Sequence, residues 1–180
     1  MSAQPITTRP AAASDLDAIC EIVEAGFESY REFLPPPWEP PPLEEERSNV
    51  AARLADPATW KVVACADAEV VGHLGFAAGR ARRAGDSPTG GPEPPLVAGL
   101  AHLWQLFVVP QWWGSGAADR LHGIGLAAME KHGYERARLF TPAAHARARR
   151  FYERRGWSVA DEQYNHHLGL DMVEYRRKLR

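Results

Sequence analysis

The chain is 180 residues long, 45% hydrophobic and 24% charged with six tryptophans, the make-up of one well-packed domain. A formal net charge of −2 leaves no basic field for non-specific nucleic-acid binding, and no run approaches the roughly 18 apolar residues of a membrane span. Cys20 and Cys65 have neither metal-ligand nor CxxC spacing, and "MSAQPITTRP" lacks an apolar signal core, so the chain reads as a cytoplasmic protein with reduced core thiols.

In chain order, Ile6 to Arg9 predicts a short strand ended by Pro10. Leu16, Ile19, Cys20, Val23, Phe27, Tyr30 and Leu34 follow helical spacing, and Ser14 with Asp17 suggests a capping box. "PPPWEPPP" stops that helix, because proline lacks the N–H and disfavours a helical residue before it. A second helix is expected over about Leu43–Leu54, with Glu44, Glu45 and Glu46 at its positive end. "WKVVACA" and "EVVGHLGFAA" predict two strands around an Asp67-Ala68 hairpin turn. Residues 80–96 are rich in Pro and Gly and read as a surface loop between strands.

"AHLWQLFVV" predicts the next strand, followed by a glycine turn and a helix to about His132. "RARLFT" reads as a strand, "PAAHARARRFYERRG" as a helix with proline in its first turn, and "MVEYRRKL" as a last strand. No repeat or linker divides residues 1–180, so the expectation is a single mixed α/β domain.

The chemistry centres on "LFVVPQWWGSGAADRL". A strand that feeds a helix through glycines leaves amides without intrahelical partners, and with the helix dipole these make an anion site. Gly114 and Gly116 let a phosphate approach the backbone, and Ala117 and Ala118 keep the approach open. Alone, the same stretch is equally an ordinary turn. The dinucleotide fingerprint fails at Asp119, and no Gly-Lys-Ser/Thr completes a P-loop.

Together with "HARARRFYERRGW" downstream, the stretch resembles the GNAT superfamily of acyl-CoA-dependent N-acetyltransferases, and "ITTRPAAASDLDAI" is similar to that family's first strand and helix. The resemblance implies a single-domain α/β (α+β) fold. Its mixed, mostly antiparallel twisted sheet would have about six or seven strands and about four flanking helices, with a splayed parallel strand pair forming the CoA cleft. It implies acetyl-CoA as acyl donor and no metal.

The family's loop, Arg/Gln-x-x-Gly-x-Gly/Ala, falls on Trp113, Gly114, Ser115, Gly116, Ala117 and Ala118, with Trp113 where arginine or glutamine is usual. By the same resemblance Leu106, Phe107 and Val108 would bind the pantetheine arm, and the Val108 amide would polarise the thioester carbonyl. Tyr152 matches the tyrosine that protonates the departing thiolate, with a packed aromatic as its alternative. His145 stands where the family often has asparagine and would hydrogen-bond the cofactor. His102 occupies the place of a glutamate that serves as base in many relatives, its unperturbed pKa of about 6.5 suiting the task, against the alternative of a structural histidine. His73 is a poorer candidate for the base. Most of the arginines from Arg147 to Arg155 read as a solvated helix face.

The first two helices of the family wall the acceptor pocket. Here that region offers Tyr30 and Trp38, with Glu28, Glu32 and Glu39 interleaved, a set suited to a cationic amine. The implied partners are acetyl-CoA and an amine-bearing acceptor, with no membrane and no nucleic acid; homodimers are common among relatives. The expected activity is acetyl transfer to a primary amine by direct attack. The alternative is a catalytically inactive acetyl-CoA-binding or regulatory module of the same fold. A toxin-like enzyme acting on charged tRNA is disfavoured by the acidic balance, and a dehydrogenase by the failed fingerprint.

Overall fold

The computed structural model describes residues 5–82 and 93–179, so most of the loop expected at 80–96 lies outside the described residues. The elements run β1 (Ile6–Pro10), α1 (Leu16–Glu28), α2 (Leu43–Ala55), β2 (Trp60–Ala66), β3 (Glu69–Arg80) and β4 (Leu96–Val108). They continue with α3 (Ala117–Lys131), β5 (Arg136–Pro142), α4 (Ala146–Glu153), β6 (Ser158–Asn165) and β7 (Leu170–Lys178). The seven strands form one mixed sheet in the order β1-β2-β3-β4-β5-β7-β6. Two compact units divide the chain, Met1–Phe76 with Trp104–Ala128 and Ala77–Leu103 with Met129–Arg180.

In the first unit, β1, β2 and β3 pair antiparallel, Thr8 opposite Ala64 and Val63 opposite His73. The β2–β3 turn turns on Asp67, whose φ of 51° is the left-handed conformation that aspartate tolerates. Val63, Val71, Leu74 and Leu121 are buried completely and anchor this core. Successive β3 side chains point to opposite faces. On one face Leu74 packs where Gly125 of α3 admits it. On the other, Gly75 leaves room for Trp104: a Cβ there would stand 2.0 Å from the indole. Arg53 of α2 covers the outer side of that indole at 4.4 Å from its centroid. Lys61 closes the end of α2 by donating its ammonium to the carbonyls of Arg53, Leu54 and Asp56.

Three local expectations are corrected. No Ser14–Asp17 box forms: Ser14 lies in a 3-10 turn at Ala13–Asp15, and Asp15 does the work instead. Its buried carboxylate takes a fork from Arg9 at 2.7 Å and the Ala12 amide at 2.8 Å, which hold it below the usual carboxylate range. The first helix also ends at Glu28 and tightens into a 3-10 turn at Ser29–Glu32. Pro142 belongs to β5, and α4 starts only at Ala146, because the Pro142 carbonyl accepts the His145 amide in a turn.

In the second unit, β4 pairs parallel with β5 from Leu100 opposite Arg136 to Leu103 opposite Leu139. β7 pairs antiparallel with β5 and with β6. Ala137, Val173 and Tyr175 are fully buried. The Tyr175 hydroxyl donates to Glu153 at 2.6 Å and accepts from Arg149 at 3.2 Å, which fixes α4 to β7. The strand β6 had no counterpart among the elements expected from the sequence.

Candidate active site

In the first unit β4 ends at Val108, and the chain makes a 3-10 turn at Pro110–Trp112 before α3 begins at Ala117. Gly114 and Gly116 have φ of 82° and 90°, and a Cβ at either would meet nothing within 4 Å. Their side of the turn is open, so glycine is required there by the backbone conformation and not by crowding. The Ser115 hydroxyl donates to the Trp112 carbonyl at 2.7 Å and accepts from the Ala117 amide at 3.3 Å. The first helical bond runs from the Arg120 amide to the Gly116 carbonyl at 3.0 Å, so the amides of the opening helical turn have no helical carbonyl before them.

Trp113 has a structural task. Its indole N–H donates to the Val108 carbonyl at 2.8 Å, fastening the loop to the end of β4. Arginine or glutamine at this place could supply a side chain to a ligand; tryptophan here supplies a brace. Trp113→Phe keeps the ring and removes the donor, leaving the Val108 carbonyl short of a partner. The expected cost is about 1 kcal/mol of stability. If the loop binds an anion, a several-fold loss of acetyl-CoA affinity by calorimetry accompanies it; full stability and full affinity would remove the brace from the account.

Phe107 packs over Gly26, where a Cβ would lie 2.5 Å from its ring, and meets Phe27 edge-on at 5.7 Å. Phe27 continues to Tyr30 at 5.5 Å, and Tyr30 to Phe33 at 5.2 Å and Trp38 at 5.9 Å. The sequence-predicted Tyr30 and Trp38 are therefore joined in one aromatic wall that reaches β4. Two of the three carboxylates named with them are engaged: Arg31 donates to Glu28 at 2.7 Å and Glu39 at 2.6 Å.

His73 is 2% exposed, lies 6.2 Å from both Trp104 and Phe107, and its Nε2 has no hydrogen-bond partner. Burial pushes its pKa down to about 4, so the ring is neutral at pH 7.

The second unit holds the other candidates. His102 on β4 stands opposite Arg138 on β5, and Arg138 Nε donates to His102 Nδ1 at 3.4 Å. With Nδ1 accepting, the neutral ring carries its proton on Nε2. Tyr152 is buried with its ring against Phe151, Trp157 and Tyr175 at 5.3, 6.0 and 6.1 Å. Burial raises its pKa well above the ordinary tyrosine value, so the phenol keeps its proton. His145 caps α4, and desolvation, aided by Arg147, lowers its pKa to about 4. Of the arginine run, Arg149 is committed to Tyr175 and the Ala143 carbonyl, and Arg155 to the Phe151 carbonyl and ring. Arg147, Arg150 and Arg154 are exposed.

Sequence reasoning passed over Arg138, although an arginine inside the central "RARLF" strand, flanked by residues that belong in a core, was a signal. It also missed Arg31, which joins Glu28 ahead of the proline run to Glu39 within it. Among the described residues no group of three or more His, Cys, Asp or Glu side chains is placed to hold a metal ion, and no helix is long and apolar enough to cross a membrane.

The chain belongs to the acetyltransferase (GNAT) family, whose model matches residues 23–157. Solved structures agree on the fold. A PaiA N-acetyltransferase from Thermoplasma acidophilum in complex with coenzyme A superposes with a TM-score of 0.72 at 17% identity, over 97% of this chain and 99% of that one. An N-acetyltransferase from Staphylococcus aureus Mu50 gives 0.72 at 17%, over 98% and 99%. The ribosomal-protein-S18-alanine N-acetyltransferase from Escherichia coli gives 0.64 at 16%, over 97% and 94%. No curated protein matches the sequence significantly.

Proposed function

We propose that this protein transfers the acetyl group of acetyl-CoA to the primary amine of an acceptor. The observation that carries the reading is the turn at Trp113–Ala118. It combines two left-handed glycines, an open side and a helix start whose first amides have no helical carbonyl before them, braced to β4 by an indole. In a member of this family such a turn suits the pyrophosphate of CoA, gripped by backbone amides from Gly114 to Ala118.

The other roles follow the family resemblance. The pantetheine arm lies along Leu106, Phe107 and Val108, and the Val108 amide polarises the thioester carbonyl. His145, neutral at pH 7, hydrogen-bonds the cofactor. His102 takes the proton of the acceptor's ammonium, the amine attacks the carbonyl carbon, and the C–S bond breaks as the C–N bond forms. Tyr152 directs its O–H at the departing thiolate, and the second proton of the attacking nitrogen leaves to solvent as the amide forms. Tyr30 and Trp38 wall the acceptor.

Calorimetry with acetyl-CoA followed by a thiol-release screen over amines tests this. Micromolar binding and acceptor-dependent release are expected. Binding without release for any acceptor would favour the non-catalytic module, and absence of binding would end both readings.

A further inference from the structure

In the second unit Arg138 sits in the middle of β5 and is only 7% exposed. Its contacts are few for a buried cation. Nε reaches His102 Nδ1 at 3.4 Å, and the guanidinium carbon lies 5.4 Å from the centre of the Phe140 ring. No described residue hydrogen-bonds either terminal nitrogen. Among the described residues, the buried polar side-chain atoms without a partner are His73 Nε2, Trp104 Nε1, Gln105 Oε1 and Glu174 Oε2. The Arg138 nitrogens are not among them, so its small residual exposure includes the face of the fork.

The neighbouring charges leave this arginine over. Arg176 donates to Glu174 at 2.6 Å, and Arg82 pairs with Asp161 and lies 3.5 Å from Glu174. Three guanidiniums thus share two carboxylates: Arg138 is attracted by Glu174 but makes no ion pair with it. An enclosed cluster with one positive charge in excess is costly, and a planar fork with both terminal nitrogens open is built for a carboxylate.

We infer that Arg138 is the carboxylate-binding residue of the acceptor site, and that the acceptor is a small amine bearing a carboxylate close to its amino group. This rests on the acetyltransferase reading above. The short separation follows from geometry: the fork touches the ring of His102, so amine and carboxylate must lie one or two carbons apart to reach both. A carboxylate on the fork brings the ammonium to the His102 ring, which takes its proton, and the neutral amine attacks.

The test measures thiol release from acetyl-CoA with the protein amino acids and, for each that reacts, the matched amine lacking the carboxylate, such as glycine against methylamine. Wild type is expected to favour the acid at least tenfold in kcat/KM. Arg138→Gln is expected to erase that preference through KM with kcat little changed, and Arg138→Lys to keep part of it. Unaltered acetyl-CoA affinity of both variants verifies their folding. If no acceptor releases thiol, the acetyltransferase reading has failed, and calorimetry with the same amino acids in the presence of CoA still decides the site. There, at least tenfold weaker binding by Arg138→Gln supports it. No binding by wild type, equal affinity in the variant, or carboxylate-free amines reacting as well as the acids would overturn it.

Discussion

Replacing Tyr152 with phenylalanine is expected to lower kcat about 100-fold while acetyl-CoA affinity stays within about twofold. The fold should tolerate the change, because the ring contacts with Phe151, Trp157 and Tyr175 do not involve the hydroxyl. On the proposed mechanism the change removes the O–H aimed at the sulfur. Burial holds this phenol's pKa above its ordinary value, whereas a thiol titrates near about 8.5, so outright proton transfer to a thiolate runs uphill. On the proposed mechanism the residue would then act by directing an intact O–H at developing charge, and the proton on the released thiol would come from solvent. No limb of the pH–rate profile below about pH 10 should belong to it. Steady-state thiol release with a good acceptor checks both statements, and an unchanged kcat would remove Tyr152 from the chemistry.

The second large effect is on stability in acid. His73 titrates at about 6.5 when unfolded and at about 4 in the folded chain, because burial disfavours its cation. Between those values the unfolded chain binds a proton that the folded chain refuses, so stability falls as pH falls. From pH 7 to pH 5 the loss from this residue is about 2 kcal/mol. Urea unfolding at the two pH values should show His73→Leu losing that much less than wild type. His145, also held near 4, keeps the variant's own pH dependence from vanishing. Equal pH slopes for variant and wild type would show that His73 is not the acid-sensitive group.

Much of this was legible in the residues where pattern and burial coincide. "WKVVACA" marks β2 to the residue, because a strand covered on both faces is a continuous apolar run. The turn before α3 was visible as glycines between a strand and a helix, and Gly114 and Gly116 are both left-handed. By contrast, β6 reads "SVADEQYN" and is largely exposed along its length. An edge strand with little to bury carries no apolar alternation, so nothing in its composition distinguishes it from a loop. The carboxylates Glu28 and Glu39 were noticed as attractors for an amine, but Arg31, which takes both, can do so only once the proline run folds back. Trp113 stood out as an oddity, and its reason lies in a carbonyl five residues back that only the folded turn brings under the indole.

The ammonium of Lys61, enclosed by three carbonyls at the end of α2, has a chemical consequence beyond capping. A catalyst of the proposed kind would live beside its own reagent, and every exposed lysine would be a competing nucleophile. This chain has only three lysines against 18 arginines, and one of the three has each of its N–H bonds committed. Guanidinium stays protonated and resists acylation, so the molecule carries its positive charge almost entirely in a form inert to the acetyl donor. On the proposed activity, the lysines exposed to self-modification would be Lys131 and Lys178.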